Sequence, residues 1–337
     1  MSELTDHEFT AHRLEFQARA ETSIALGEHQ GSAIRGALFH TLRGRPGRPA
    51  FCLDLTRTSC RGCSTLEGCP VSFLLATVDE EGRRGADVPR PYTVEPPLGR
   101  TGQYAPGEAF SFSITLFARA LSLFPYLIVA ARRLEEEGIG RKLQDQGGHW
   151  RAGRFRIQRI LAVNTITGER QIVLQAGEEL VRVPAVPIRH QQVLVRAERL
   201  ARRKSLSLEF LTPTRLVENG RPLRRPDFRP LMQRLVERLS SLWEEYGQSE
   251  LPVDFAALME SASKIKLSEC RTNWVELRGY STRQAAPKYL DGFVGCATYE
   301  GDIAPFAPWL VWGEQTHVGK DAVKGCGLYR IVEPEEG

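Results

Sequence analysis

The sequence predicts an α+β protein of two ferredoxin-like (RRM-like) domains in tandem, the first carrying a cysteine-bearing insertion. Three observations predict it. The chain has 337 residues, more than one average domain and fewer than three. Each half reads in the order strand, helix, strands, helix, strand, which suits that fold. A long irregular stretch, roughly 44 to 106, interrupts the first half with many Gly and Pro and a group of cysteines.

Taken in order, Leu14, Phe16, Ala18 and Ala20 alternate along a first strand, and Phe110, Phe112, Ile114 and Leu116 along another. Between them a helix over 31–43 places Ile34, Ala37, Leu38, Thr41 and Leu42 on one side. A further helix spans about 119–137, with Pro125 a kink or late start and Gly138 and Gly140 ending it. Strands follow at 153–163 and 171–175. In the second half Leu206, Leu208 and Phe210 alternate. Asp227 then caps a helix whose apolar residues, Phe228, Leu231, Met232, Leu235, Val236, Leu239, Leu242, Trp243 and Tyr246, recur at helical spacing. Short strands are expected around 273–280, 293–299, 309–313 and 327–332. The domains are placed at 1–190 and 200–337, with the joint between Pro184 and Arg203.

Composition narrows the class. Hydrophobic residues at 42% and charged residues at 26% are those of a globular protein rather than a disordered one. No stretch approaches the ~20 apolar residues of a membrane helix, and the polar start MSELTDHEF lacks the apolar core of a signal peptide. A cytoplasmic protein with no membrane partner is therefore expected. The net charge is only +4, but it is unevenly spread. From Arg196 to Arg238 twelve basic residues face five acids, a local net of +7. Within this stretch Arg202, Arg203, Lys204, Arg224 and Arg225 are the expected phosphate contacts, since arginine suits planar, bidentate binding of phosphate. The plain alternative is a linker plus the polar face of a helix.

Of seven cysteines, Cys52, Cys60, Cys63 and Cys69 form the pattern C-x7-C-x2-C-x5-C. Thiolates at C-x2-C spacing favour tetrahedral zinc, and an outlying cysteine on each side completes a four-sulfur set. An iron–sulfur cluster accepts the same donors and is the second expectation. A closed four-sulfur site has no open position, so such a metal would be structural. Cys270, Cys296 and Cys326 read as core filler.

The sharpest motif is HVGKDAVKGCG, just before the last strand. Gly319, Gly325 and Gly327 let the backbone approach a ligand closely, successive N–H groups can cradle anionic oxygens, and Lys320 and Lys324 add charge. It is not a Walker loop, because G-x-x-x-x-G-K-[ST] is absent. Taken alone, it is a glycine-rich turn between two strands.

This ending, entered through HVGK and left through GCGLY, resembles that of the CRISPR-associated repeat-processing endoribonucleases, a branch of the RAMP superfamily. YEGDIAPFAPWL is similar to the family's approach to that loop, PYTVEPPLGRTGQYAPGEAFSFSITLFARA to its middle region, and GSAIRGALFHTLR to its first helix. The resemblance implies tandem ferredoxin-like domains, binding of CRISPR repeat RNA and a single cut in it. It implies chemistry without a metal cofactor: the 2′-hydroxyl attacks the adjacent phosphate, leaving a 2′,3′-cyclic phosphate and a 5′-hydroxyl. Other CRISPR effector subunits are expected as partners.

Histidine suits either proton role in such a cut. The resemblance places a catalytic histidine on the first helix, where His40 stands. At 100° per residue Gly36, His40 and Arg43 lie opposite the apolar arc. His40 is named first, His317 at the mouth of the glycine-rich loop second, and His29 third. Arg35 and Arg43 are expected phosphate contacts. Two rival readings stay open: a RAMP-fold subunit that holds guide RNA without cutting it, and a metal or redox protein built on the cysteines.

Overall fold

The computed structural model describes residues 9–45, 48–52, 54–56, 60, 62–64, 69–76, 89–99, 101–145, 147–247, 253–281 and 286–333. The chain divides into two compact units, one spanning Thr10–Pro187 and the other Ile188–Gly337 together with the first residues up to Phe9.

The first unit is built on β1 (Thr10–Ala20), α1 (Gln30–Arg43), β2 (Tyr92–Glu95), β3 (Ala109–Phe117), α2 (Phe124–Glu137), β4 (Phe155–Val163) and β5 (Arg170–Gln175). The antiparallel sheet has the order β5–β4–β1–β3–β2. That is the β2–β3–β1–β4 order of a ferredoxin-like fold with one strand added at the edge. The period of two along β1 decides which face is buried: Leu14, Phe16, Ala18 and Ala20 are all within 2% of full burial. Phe16 stands opposite Phe112 in the register and stacks on it at 4.8 Å. Ile34 and Leu38 of α1 and Leu127, Ala131 and Leu134 of α2 close over these rings. Pro125 lies in the first turn of α2, so the expected helix starts late, after a 3-10 segment over Ala118–Leu123. Buried Glu135 of α2 accepts from the Ile157 N–H at 2.7 Å, and burial pushes its carboxyl above the usual range.

The second unit repeats the plan with α3 (His190–Ala201), β6 (Ser205–Thr214), α4 (Phe228–Tyr246), α5 (Phe255–Ala262), β7 (Lys266–Val275), β8 (Gly292–Glu300), α6 (Ala307–Thr316) and β9 (Tyr329–Val332). Its sheet order is β7–β8–β6–β9, again antiparallel. Phe210 on the central strand meets Phe293 edge-on at 4.9 Å and lies 5.9 Å from Tyr329. All nine apolar residues of α4 are buried as the spacing predicts. Phe9 belongs to this unit and stacks on Trp243 at 4.8 Å.

Three expectations need correction. Residues 309–313 are not a strand but the middle of α6, and every described side chain from Ala307 to Thr316 except Pro308 is buried. A short continuous apolar run has no period to tell a buried strand from a buried helix, and Pro308 in the first turn was the available signal. The irregular stretch 44–106 is not all insertion, because Tyr92–Glu95 pairs with β3 as the sheet edge. Helix α3 occupies the expected joint, where the many arginines masked Val193, Ala197 and Leu200 on its buried side.

Candidate nucleic-acid interface

Helix α1 buries Ile34, Leu38, Thr41 and Leu42, and this fixes what its other side presents. His40 is exposed there. The Arg35 guanidinium carbon lies 5.2 Å over the Phe39 ring, and that ring meets the His40 imidazole edge-on at 5.4 Å. A Cβ added at Gly36, one turn before His40, would meet nothing within 4 Å, so the helix surface at Gly36 has room for a ligand. The helix ends at Gly44, φ 80°, whose N–H bonds the His40 carbonyl. A half-buried cation and aromatic ring and an exposed imidazole thus form one contiguous row on the helix.

The glycine-rich loop joins α6 to β9 rather than two strands. Its backbone turns left-handed at His317, Gly319, Asp321, Gly325 and Gly327, with φ between 58° and 88°. The glycines serve close packing of the loop on its own unit. A Cβ at Gly319 would sit 2.5 Å from the Arg215 carbonyl, and one at Gly327 would collide with the Val318 carbonyl. Lys320 N–H bonds the Arg215 carbonyl at 3.1 Å, Gly327 N–H the Pro213 carbonyl at 3.1 Å, and Val318 N–H the Gly327 carbonyl at 3.0 Å. The loop is tied by these backbone bonds to the end of β6.

The structure separates the residues expected of this loop. Lys320 is exposed, with no ion pair among the described residues. Lys324 instead holds Asp321 at 3.0 Å with both side chains less than a fifth exposed. His317 ends α6 and is 2% exposed, its Nδ1 3.2 Å from the Cys326 carbonyl oxygen. The imidazole expected at the mouth of the loop is therefore built into its interior.

The basic stretch also divides. Arg196 binds Glu314 and, at 2.9 Å, Glu333. Arg215 pairs with Asp291, and Arg203 comes within 4.0 Å of Glu333. Those acids lie outside the window counted along the sequence, so its excess charge is partly neutralised in the fold. Arg202, Lys204, Arg224 and Arg225 are exposed and make no ion pair among the described residues. The Arg224 guanidinium lies 4.1 Å over the Trp274 ring, a cation–π contact with one side of the group still outward.

Comparison with known proteins follows these lines. Residues 9–186 match a family described as an N-terminal domain (AF_1859_N), and residues 208–329 match the family described as CRISPR-associated endoribonuclease Cas6. The chain belongs to the family of the AF_1859_N model, which matches more than half of its length, and its match to the Cas6 family is confined to residues 208–329. Its fold agrees with solved Cas6 structures. A Cas6 of Thermus thermophilus is similar at 17% identity and TM-score 0.52, over 96% of this chain and 99% of that one. A Cas6 product complex is similar at 18% identity and TM-score 0.53, over 96% and 99%. A partial Cas6-RT-Cas1–Cas2 complex matches at 12% identity and TM-score 0.58, over 98% of this chain and 47% of that one. No curated protein matches by sequence.

Sequence reasoning missed one feature of the second unit. Arg238 on α4 is partly buried, and desolvation lowers its guanidinium to about 10, with no carboxylate paired to it among the described residues. Its Nε donates to the Thr316 carbonyl at 2.7 Å, at the residue where α6 gives way to the loop. In the sequence Arg238 was one of twelve basic residues in the stretch, and nothing local distinguished it. Among the described residues no helix is long and apolar enough to cross a membrane.

Proposed function

We propose that this chain binds CRISPR repeat RNA and cuts it once, by attack of a ribose 2′-hydroxyl on the adjacent phosphate. The 2′-oxygen forms a bond to phosphorus as the bond to the 5′-oxygen breaks. A base accepts the 2′ proton, and an acid returns one to the leaving oxygen. The products are a 2′,3′-cyclic phosphate and a 5′-hydroxyl. Because the nucleophile is supplied by the RNA, the reaction requires no metal-activated water.

The observation that carries this reading is the row on α1. His40 is exposed, lies one turn from the open position at Gly36, and adjoins the Phe39–Arg35 pair. An imidazole exchanges protons near neutral pH, and an adjacent guanidinium can meet the phosphorane oxygens as charge builds on them. The match of residues 208–329 to the family described as CRISPR-associated endoribonuclease Cas6 supports the same chemistry. Exposed Lys320, Arg202, Lys204, Arg224 and Arg225 supply positive charge for phosphates, which predicts binding that weakens steeply with salt. The burial of His317 favours His40 over it for the chemical step.

His40→Ala should lower the cleavage rate of repeat RNA by at least ~100-fold, the usual worth of a general acid or base. Its RNA affinity in a gel shift should stay within a few-fold of the wild type. Cleavage at the wild-type rate would remove His40 from the chemistry.

A further inference from the structure

Cys52, Cys60, Cys63 and Cys69 belong to a segment that lies partly outside the described residues, and among the described residues no three His, Cys, Asp or Glu side chains are grouped to hold a metal. The hairpin that follows α2 is fixed in place and carries more. Its strands, Ile139–Gln144 and Trp150–Gly153, pair with each other and stand outside the main sheet of the first unit. The base is clamped. Ile139 is buried, a Cβ at Gly140 would sit 2.4 Å from the Ala25 carbonyl oxygen, and one at Gly153 would sit 2.5 Å from that of Ser23. The tip is fixed as well: Asp145 accepts through Oδ1 from the Gly147 and His149 N–H groups, each at 2.9 Å, and Gly148 N–H bonds the Asp145 carbonyl at 2.9 Å. Between base and tip the side chains meet solvent. Arg141, Lys142, Gln144, Trp150 and Arg151 are all exposed.

Trp150 is the side chain that the fold does not explain. Of the five tryptophans, Trp243, Trp309 and Trp312 are buried and Trp274 is half-buried beneath Arg224, whereas Trp150 is 65% exposed. Its ring packs on no other ring and under no cation among the described residues. A large aromatic surface left in water forgoes the stabilisation that burial gives it, and a small polar residue would serve a solvent-facing strand as well. In the register Trp150 stands opposite Gln144, and the period of two puts Lys142 on that same face. Arg151, one residue on and on the other face, is held at 3.1 Å by Asp145, the one acid of the hairpin. Lys142 makes no ion pair among the described residues. The face therefore offers a flat ring, an amide and an uncompensated cation side by side.

That set matches the parts of an unpaired nucleotide. An indole stacks on the face of a base, an amide both donates to and accepts from a base edge, and an ammonium meets a phosphate. A base within a duplex shows no face to a side chain, so the fit is to a single strand. The indole stands among polar and cationic groups and not within an apolar patch, which disfavours a hydrophobic protein surface as its partner. We propose that this hairpin face binds single-stranded RNA, with one base stacked on Trp150, Gln144 at its edge and Lys142 on a neighbouring phosphate. The assignment rests on the reading of this chain as a repeat-RNA nuclease and deepens it. The hairpin would hold unpaired nucleotides of the RNA and take no part in the cut.

The test uses the full chain and a short labelled oligouridylate, with a blunt RNA duplex as the second probe, both followed by fluorescence anisotropy. Trp150→Ala should lower affinity for oligouridylate at least ~5-fold, the lower end for loss of one base–aromatic stack, and leave duplex affinity as it was. Trp150→Phe keeps a flat ring and should restore most of the loss. The slope of log affinity against log salt should stay the same in Trp150→Ala and fall by about one in Lys142→Ala. Equal oligouridylate affinity in wild type and Trp150→Ala overturns the proposal, and so does the same loss in Trp150→Phe or on the duplex. A dimer of the wild type that Trp150→Ala dissolves would overturn it in favour of a contact between copies. Cleavage of repeat RNA by the wild type, measured in parallel, decides the nuclease reading separately.

Discussion

His40 and His317 are the same side chain in opposite surroundings, and the difference underlies the roles proposed for them. His40 has solvent before it and a cation–aromatic pair beside it. His317 holds a left-handed turn at φ 58°, with its ring enclosed under the loop. His40→Ala should leave urea stability within ~0.5 kcal/mol, as exposed substitutions do. Gly327→Ala, by contrast, combines a φ of 74° with a collision against Val318 and should cost at least ~1–3 kcal/mol in urea unfolding. It should also weaken RNA binding by distorting the loop that carries Lys320. Glu135 gives a pH test at this scale. Its folded carboxyl is raised by burial, so its contribution favours the fold below the ordinary carboxylate range and is lost as pH rises through the folded value. A glutamine amide in its place keeps an oxygen to accept from Ile157 and never ionises. Glu135→Gln should therefore match the wild type near the acid end of that range and gain on it toward neutral pH in paired unfolding curves.

At the scale of elements, legibility followed periodicity. Helix α4 and the alternating strands β1, β3 and β6 declared themselves, because one buried face imposes a repeat on the residues. Helix α6 did not, because it is enclosed all round and its residues from Trp309 to Trp312 have no polar side to give a period. β2 is only four residues long between prolines, too short to show alternation. The exposed face of α1 was legible for the same reason as its buried one, whereas the burial of His317 depends on contacts made across the tertiary fold. Charge was the least legible quantity. Arg196 finds Glu314 and Glu333, more than a hundred residues away, and Glu314 also accepts from the Ile331 N–H at 2.8 Å. Glu314→Ala would strip this junction of α3, α6 and β9. Urea unfolding should show a loss of ~3 kcal/mol, the lower end for a broken buried ion pair because Glu333 remains.

For the whole molecule, two copies of one fold carry different equipment: the first offers the His40 row, the second the glycine-rich loop and the exposed cations. RNA affinity should then be electrostatic in large part. Lys320→Ala should lower the slope of log affinity against log salt by about one, while a gel shift at low salt still shows binding. The most direct test of the account is repeat RNA incubated with the wild-type chain in excess EDTA, followed by analysis of the new ends. One cut, with a 2′,3′-cyclic phosphate on one fragment and a 5′-hydroxyl on the other, is the predicted result. Intact RNA, or fragments ending in a 5′-phosphate, would contradict it.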